Sequence, residues 1–326
     1  MEFRTSVDMP DYTLQLGYND KIVTMGSCFA DEMYKKMKAV KLDCIANPYG
    51  ILYNPISISI ALNRILHREL VREDELVQHN GLWFSWDHHG CFSDRDRSKA
   101  IQNMNEDIEK GYEYLQGASC LIITWGSAFV YELKGESRIV GNCHKLPAAT
   151  FAKRLLSTDE IKDAFVETFQ RIQEINASIR ILMTVSPVRH LSEGLIQNNR
   201  SKAVLISAIH EIVESFDPVE YFPAYEILMD DLRDYRFYGK DLVHPSEEAV
   251  NYIWELFQSS LMKAETISLS KKIMKIQKSL SHKPFHPELE EHQRFLKRTY
   301  QNMIEMQQRG IDFSREIAEL LSRMGS

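Results

Sequence analysis

Apolar and β-branched residues gather in short runs bounded by turn formers, at 22–25, 120–124, 179–185 and, more weakly, 219–225. Runs of that length predict buried strands, and 41–46 predicts a fifth. Between them, 56–66, 159–175 and 202–216 repeat apolar residues at three-and-four spacing, the helix period. Strand and helix therefore alternate, and the predicted fold class is α/β: a flavodoxin-like, doubly wound parallel sheet of about five strands.

In such sheets ligands sit beyond the carboxyl ends of the strands, where the strand order reverses. Polar and glycine-rich segments follow four of the predicted strands: Gly26-Ser27-Cys28, Asn47-Pro48-Tyr49-Gly50, Trp125-Gly126-Ser127-Ala128 and Ser186-Pro187-Val188-Arg189-His190. They are expected to share one rim. Residues 67–118 are charged and carry Trp83, Trp86, His88 and His89, with no clean period before a helix near 98–115; they read as an insertion over that rim. The main domain is expected to span 1–262. Residues 263–326, rich in Lys, Glu, Gln and Met, read as a helical C-terminal extension broken at Lys283-Pro284-Phe285-His286-Pro287. The extension would pack on the body, bind a partner helix, or pair two copies into a homodimer.

Two constellations carry chemistry. In Gly26-Ser27-Cys28-Phe29-Ala30, glycine turns a strand into a helix whose Phe29, Met33 and Met37 share one face, so Ser27 and Cys28 fall at a helix N-terminus. Free N–H groups and the helix dipole there are expected to lower a thiol pKa and to offer donors to an oxyanion. In Asp241-Leu242-Val243-His244-Pro245-Ser246, a carboxylate three residues before an imidazole can fix its tautomer. Ser246 can cap the following helix, whose Val250, Ile253, Trp254 and Phe257 form an apolar face.

Composition narrows the function. With 39 Lys and Arg against 46 Asp and Glu the net charge is -7, which speaks against a nucleic-acid partner. No run of eighteen apolar residues suggests a membrane span, and two acids among the first eight residues suit no secretory signal, so a cytoplasmic location is expected. The 5 cysteines form no C-x-x-C pair and are expected to be reduced. Trp86-Asp87-His88-His89-Gly90-Cys91 offers metal-ligand types at no familiar zinc spacing, so neither metal nor cofactor is expected. His190 follows Ser186-Pro187 on the rim and could touch substrate, though a hydrogen-bonded loop histidine is the favoured reading. Asp230, Asp231 and Asp234 read as a solvated cluster neutralised by Arg233 and Arg236.

These motifs together resemble the GSCFA-domain family, an SGNH/GDSL-hydrolase-like group. The resemblance extends from Gly26-Ser27-Cys28-Phe29-Ala30 through Asn47-Pro48-Tyr49-Gly50, Gly126-Ser127-Ala128, Gly141-Asn142-Cys143-His144-Lys145, Ser186-Pro187-Val188 and the segments 221–226 and 230–235 to Asp241 and His244. It implies an SGNH-type three-layer fold, with Gly26 as the first-block glycine, Gly50 as an oxyanion glycine, and Asp241 and His244 as the terminal pair. In gapless register the nucleophile falls on Cys28, with Ser27 on the preceding acidic position; a shift of one residue would make Ser27 the nucleophile. Where the pattern usually places an oxyanion asparagine this chain has Ala128, and Asn142 is the proposed replacement, with His144 and Ser127 beside it as substrate-binding candidates. The implied activity is hydrolysis of an O-acyl ester of a small molecule or carbohydrate. An acyltransferase using a thioester donor and a catalytically decayed binding module are the alternatives.

Overall fold

The alternation of apolar positions is realised in a five-stranded parallel sheet. In the computed structural model, which describes residues 4–281 and 289–324, the strands are β1 (Lys21–Gly26), β2 (Asp43–Ala46), β3 (Cys120–Trp125), β4 (Arg180–Val185) and β5 (Val219–Tyr221). Their order is β2-β1-β3-β4-β5, all parallel. The order reverses between β1 and β3, which is where this topology opens a ligand crevice.

Successive residues of each strand face opposite layers, and both layers are apolar. Val23, Met25, Leu121, Ile123, Ile181 and Met183 face a core shared with α2 (Pro55–Leu66), α3 (Arg97–Gly117), α4 (Thr158–Ile175) and α5 (Gly194–Ser215). Ile22, Cys44, Cys120, Ile122 and Leu182 face α1 (Cys28–Ala39) and α6 (Glu247–Leu261). A strand buried on both sides must be continuously apolar, which is why these runs stand out in the sequence. Each such side chain taken fully out of water contributes about 1.5–3 kcal/mol, so the sheet dominates the stability of the body.

Two parts of the chain differ from the expectation. The second half of 67–118 does not lie over the rim: α3 buries Ala100, Met104, Ile108 and Leu115 in the larger core as the crossover from β2 to β3. Only the first half covers the end of the sheet, with a hairpin pairing Val77–His79 with Leu82–Phe84. Behind it stands a three-stranded antiparallel sheet, Phe129–Leu133, Arg138–Val140 and Phe151–Leu155, in the stretch after β3. The covering segment is fastened by charge. Arg64 of α2 meets Glu75 at 2.7 Å and Asp87 at 3.4 Å, and Asp87 also meets Arg138 at 2.9 Å.

The last strand is shorter than its apolar run, because beyond Tyr221 the chain enters a short α-turn, Ala224–Glu226, that widens into a π-helix at Ile227–Leu232. There Asp231 is buried against the Tyr252 hydroxyl at 2.6 Å. Asp230 and Asp234 are paired with Arg233 and Arg236 as expected; Asp231 is not part of a solvated face.

C-terminal to α6 lie α7 (Ala264–Ser281), α8 (Glu290–Gln308) and α9 (Ser314–Met324). Leu269, Ile273, Leu296, Met303, Met306 and Phe313 turn inward as a separate apolar cluster. Tyr18, whose hydroxyl reaches Val40 O and Ser270 Oγ, and Lys41, lying 4.3 Å from the Phe313 ring centre, join this cluster to the body. The expected break at 283–287 lies outside the described residues. No described helix is long and apolar enough to cross a membrane.

Candidate active site

At the end of β1 the chain must turn within one residue. Gly26 does so at φ +135°, with its N–H donating to Asn47 Oδ1 at 2.8 Å. Asn47 also donates from Nδ2 to Asp31 Oδ1 at 2.5 Å, so one buried amide ties the β1 turn, the β2 loop and α1 together. Asn47→Ala orphans the Gly26 N–H and is expected to cost about 1–3 kcal/mol, read from urea unfolding.

Ser27 is the N-cap of α1, yet its side chain caps nothing; its Oγ is buried without a partner. Cys28, the first helical residue, is half-buried and faces a cavity of about 610 Å³. Its own N–H and that of Phe29 favour the thiolate form, and the first amides of a helix have no partner inside it. The expected lowering of the thiol pKa is not found. Burial is the largest influence and raises it, with Asp31 adding in the same direction, against smaller opposing contributions from those two amides and Lys202. Cys28 is therefore a thiol near neutral pH and needs a base to become a nucleophile.

The second constellation lines the same cavity. His244 stands on its wall with Val188 and Pro245, and Glu32, Lys35, Lys36 and Glu247 furnish polar groups around it. His244 Nδ1 pairs with Asp241 Oδ2 at 2.7 Å, while Asp241 Oδ1 accepts the N–H groups of Val243 and His244 at 2.9 and 3.1 Å. The hydrogen bonds from His244 and from these two amides hold the Asp241 carboxyl down to about 2. Ser246 caps α6 through Ala249 N–H as expected, and the N–H of Arg189 reaches Val243 O at 3.1 Å, tying this loop to the one after β4. No direct hydrogen bond joins Cys28 to His244 among the described residues.

The other sequence candidates are placed elsewhere. The Gly50 N–H is spent on Asn47 O at 2.6 Å, and a Cβ there would stand 2.3 Å from His89 Cβ; it is a turn residue under the covering segment, not a free oxyanion donor. Asn142 and Ser127 line a second cavity of about 250 Å³ that does not include Cys28 or His244. Asn142 Oδ1 accepts the His144 N–H at 2.8 Å, and Ser127 Oγ accepts the Phe129 N–H at 3.1 Å. His144 borders neither cavity. Its Nε2 meets Ser85 O at 2.9 Å, its ring stacks on Phe84 at 3.9 Å, and burial pushes its pKa down to about 4, so it holds the covering segment together. His88 and His89 point apart: His88 stacks on Tyr49 at 3.9 Å, whereas His89 Nδ1 accepts the Cys91 N–H.

The sequence did not single out Tyr53, and of the two readings of His190 the favoured one, a hydrogen-bonded loop histidine, is not what the structure has. The two rings meet edge to face at 5.2 Å beside Gly126, where a Cβ would come within 3.1 Å of His190 Nε2 and 3.2 Å of both Ser27 Cβ and Tyr53 Cδ1. The His190 ring is not hydrogen-bonded, and Nε2 is buried without a partner; burial, then the charge of Lys202, pushes its pKa down to about 3. The loop after β4 thus gives Val188 to the cavity of Cys28 and His190 to the smaller one.

The GSCFA family model matches residues 21–257, and the model of the GSCFA domain protein C-terminal domain matches 273–325. This chain belongs to the GSCFA family. No curated protein matches it. Among solved structures it is similar to a carbohydrate esterase family 3 protein from Talaromyces cellulolyticus, at 8% identity and TM-score 0.36 over 77% of this chain and 98% of that one. It is also similar to an acetyl xylan esterase from the rumen bacterium Butyrivibrio proteoclasticus, at 12% identity and TM-score 0.38 over 76% and 65%.

Proposed function

We propose that this GSCFA protein is an ester hydrolase that works through an acyl-enzyme on Cys28. The observation that carries the reading is the shared cavity: a thiol at an uncapped helix N-terminus and an imidazole oriented by a carboxylate line one opening of about 610 Å³. That volume suits a small-molecule or sugar ester. In the forward step His244 takes the thiol proton, sulfur bonds to the carbonyl carbon, and the negative oxygen is received by the Cys28 and Phe29 N–H groups. The C–O bond then breaks, and the same proton passes from His244 to the departing alkoxide. Water, deprotonated by His244, releases the acid and restores the thiol.

Cys28 is preferred to Ser27 because the Ser27 side chain is wholly enclosed, at 0% exposure, and lines neither cavity. Brief exposure to p-nitrophenyl acetate, acid quench and peptide mass mapping tests the assignment. The acetyl group is expected on Cys28; release of nitrophenol with acetyl on Ser27, or with no adduct and no loss of turnover in Cys28→Ala, would overturn it.

A further inference from the structure

The three-stranded antiparallel sheet after β3 supplies no residue to the cavity of Cys28, yet one of its faces walls the smaller cavity. Its register sets Tyr131 opposite both Val140 and Lys153, and residues directly opposite share a face, as does Phe129 two positions along the strand. Farther along, the same face buries Leu133 and Phe151 with Phe84 and Trp86 of the covering segment, which anchors the sheet. Phe129, Tyr131, Val140 and Lys153 are left to line the cavity of about 250 Å³, together with Tyr53 and His190 from the rim loops.

The walls are held by hydrogen bonds that leave polar atoms over. Asn198 Oδ1 on α5 accepts the His190 N–H at 2.9 Å, and Ser201 Oγ accepts the Ala128 N–H at 2.7 Å, so both rim loops are fixed. The Gly141 and Asn142 N–H groups donate to Trp86 O at 2.8 and 3.3 Å. A Cβ on Gly141 would stand 2.7 Å from Asp87 O, so this turn is pressed against the covering segment. Asn142 Oδ1 is taken by the His144 N–H, which leaves its Nδ2 without a protein partner among the described residues; the Tyr53 hydroxyl has none either. Groups positioned in advance lose little freedom when a ligand arrives.

The charges on this cavity cancel. Lys153 and Glu193 are the two charged side chains on its wall among the described residues, and they pair at 2.8 Å. Lys153 Nζ also sits 4.9 and 5.1 Å from the Phe129 and Tyr131 ring centres. A charged ligand would have to break that pair, and a purely apolar one would strand the Asn142 amide and the Tyr53 hydroxyl away from water. Hydroxyl groups both donate and accept, and a ring that carries them on an aliphatic frame meets both kinds of wall. We propose that this cavity binds one neutral sugar ring of pyranose size, with the Asn142 amide and the Tyr53 hydroxyl on its oxygens and its C–H groups against Phe129 and Val140. The volume lies below that of a drug-sized pocket, so it holds a single ring and not an oligosaccharide or a nucleotide. Binding here does not depend on Cys28 being the nucleophile.

Cys143 lines this cavity, Cys28 the other, and exposed Cys91 neither, so the chain carries its own probes. Alkylation of the full-length protein by iodoacetamide is followed by peptide mass while methyl glucopyranoside, galactopyranoside or xylopyranoside is titrated in. Glucuronate, glucosamine and cyclohexanol serve as the charged and apolar counterparts. At least one neutral glycoside is expected to slow Cys143 saturably and leave Cys91 unchanged, and the Asn142 side-chain amide resonance should shift with the same midpoint. Tyr53→Phe, which removes only the hydroxyl, should raise that midpoint roughly 3- to 10-fold, the usual net contribution of one hydrogen bond. The proposal is overturned if no neutral glycoside slows Cys143 or moves the Asn142 amide, or if glucuronate, glucosamine or cyclohexanol does so at lower concentration. A wild-type midpoint in Tyr53→Phe overturns it as well. Ester turnover in Cys28→Ala bears on the nucleophile alone, so failure of that assignment and failure of this site are read separately.

Discussion

His244→Ala is expected to lower kcat/KM for a p-nitrophenyl ester by roughly 10²- to 10⁴-fold, the usual contribution of a positioned general base. The size follows from the state of Cys28. Had the helix terminus produced a ready thiolate, loss of the imidazole would matter mainly at the second, water-dependent step. Burial instead keeps the sulfur protonated near neutrality, so the base is required at both steps. Two further readouts follow. In the variant, turnover should climb as pH rises through the elevated thiol pKa, because solvent hydroxide then supplies the thiolate. The imidazole stands at a half-exposed wall, so added free imidazole should restore part of the rate. Asp241→Asn should cost less, since its pair with His244 is open to water and screened. An His244→Ala enzyme with the wild-type rate and pH profile would remove this residue from the mechanism.

Which parts of the molecule were legible in the sequence follows from what each part is made of. β1, β3 and β4 are buried on both faces and therefore read as unbroken apolar runs; their positions followed from that, and the parallel architecture from the helix patterns alternating with them. The antiparallel sheet after β3 is built from Phe129–Leu133, Arg138–Val140 and Phe151–Leu155, short strands mixing Glu, Lys and Arg with apolar residues, and it produced no comparable signal. α5 was expected to begin at Lys202 because its apolar repeat begins there. Its buried face in fact continues backward through Ser201 and Asn198, where the side chains face strand ends and loops instead of the core. A helix stripe that changes from apolar to polar toward the rim of the sheet is itself a pointer to the site.

The site divides in the same way. Local pairs, Ser27 with Cys28 and Asp241 with His244, are visible as spacing, and strand order brings their loops to one cavity. Donors to an oxyanion depend on which amides other groups have already taken, and spacing carries no such information. Gly50 fails for that reason, its N–H being spent within its own turn, whereas the Asn142 side chain belongs to a neighbouring cavity. The thiol pKa failed differently. The dipole argument had the right sign, but it was outweighed by a burial that only the packed structure reveals.

Gly26→Ala is the substitution expected to do most damage to the fold and the site together, at roughly 3–5 kcal/mol in urea unfolding. Two costs combine there. At φ +135° any side chain is strained, and a Cβ would stand 2.0 Å from Thr124 O, a backbone atom that cannot swing aside. Thr124 O also accepts the Ser27 N–H at 3.0 Å, so relieving the clash pulls β1 from β3 at the point where the strand order reverses. Gly81→Ala supplies the comparison, because Gly81 has φ +76° but no atom within 4 Å of a new Cβ. It should cost only about 1–2 kcal/mol, the backbone strain by itself. The excess at Gly26 measures how tightly the nucleophile turn is pressed against the neighbouring strand. Equal losses at the two positions would mean that the turn has room to relax, and the close packing that fixes Cys28 at the mouth of the cavity would lose its basis.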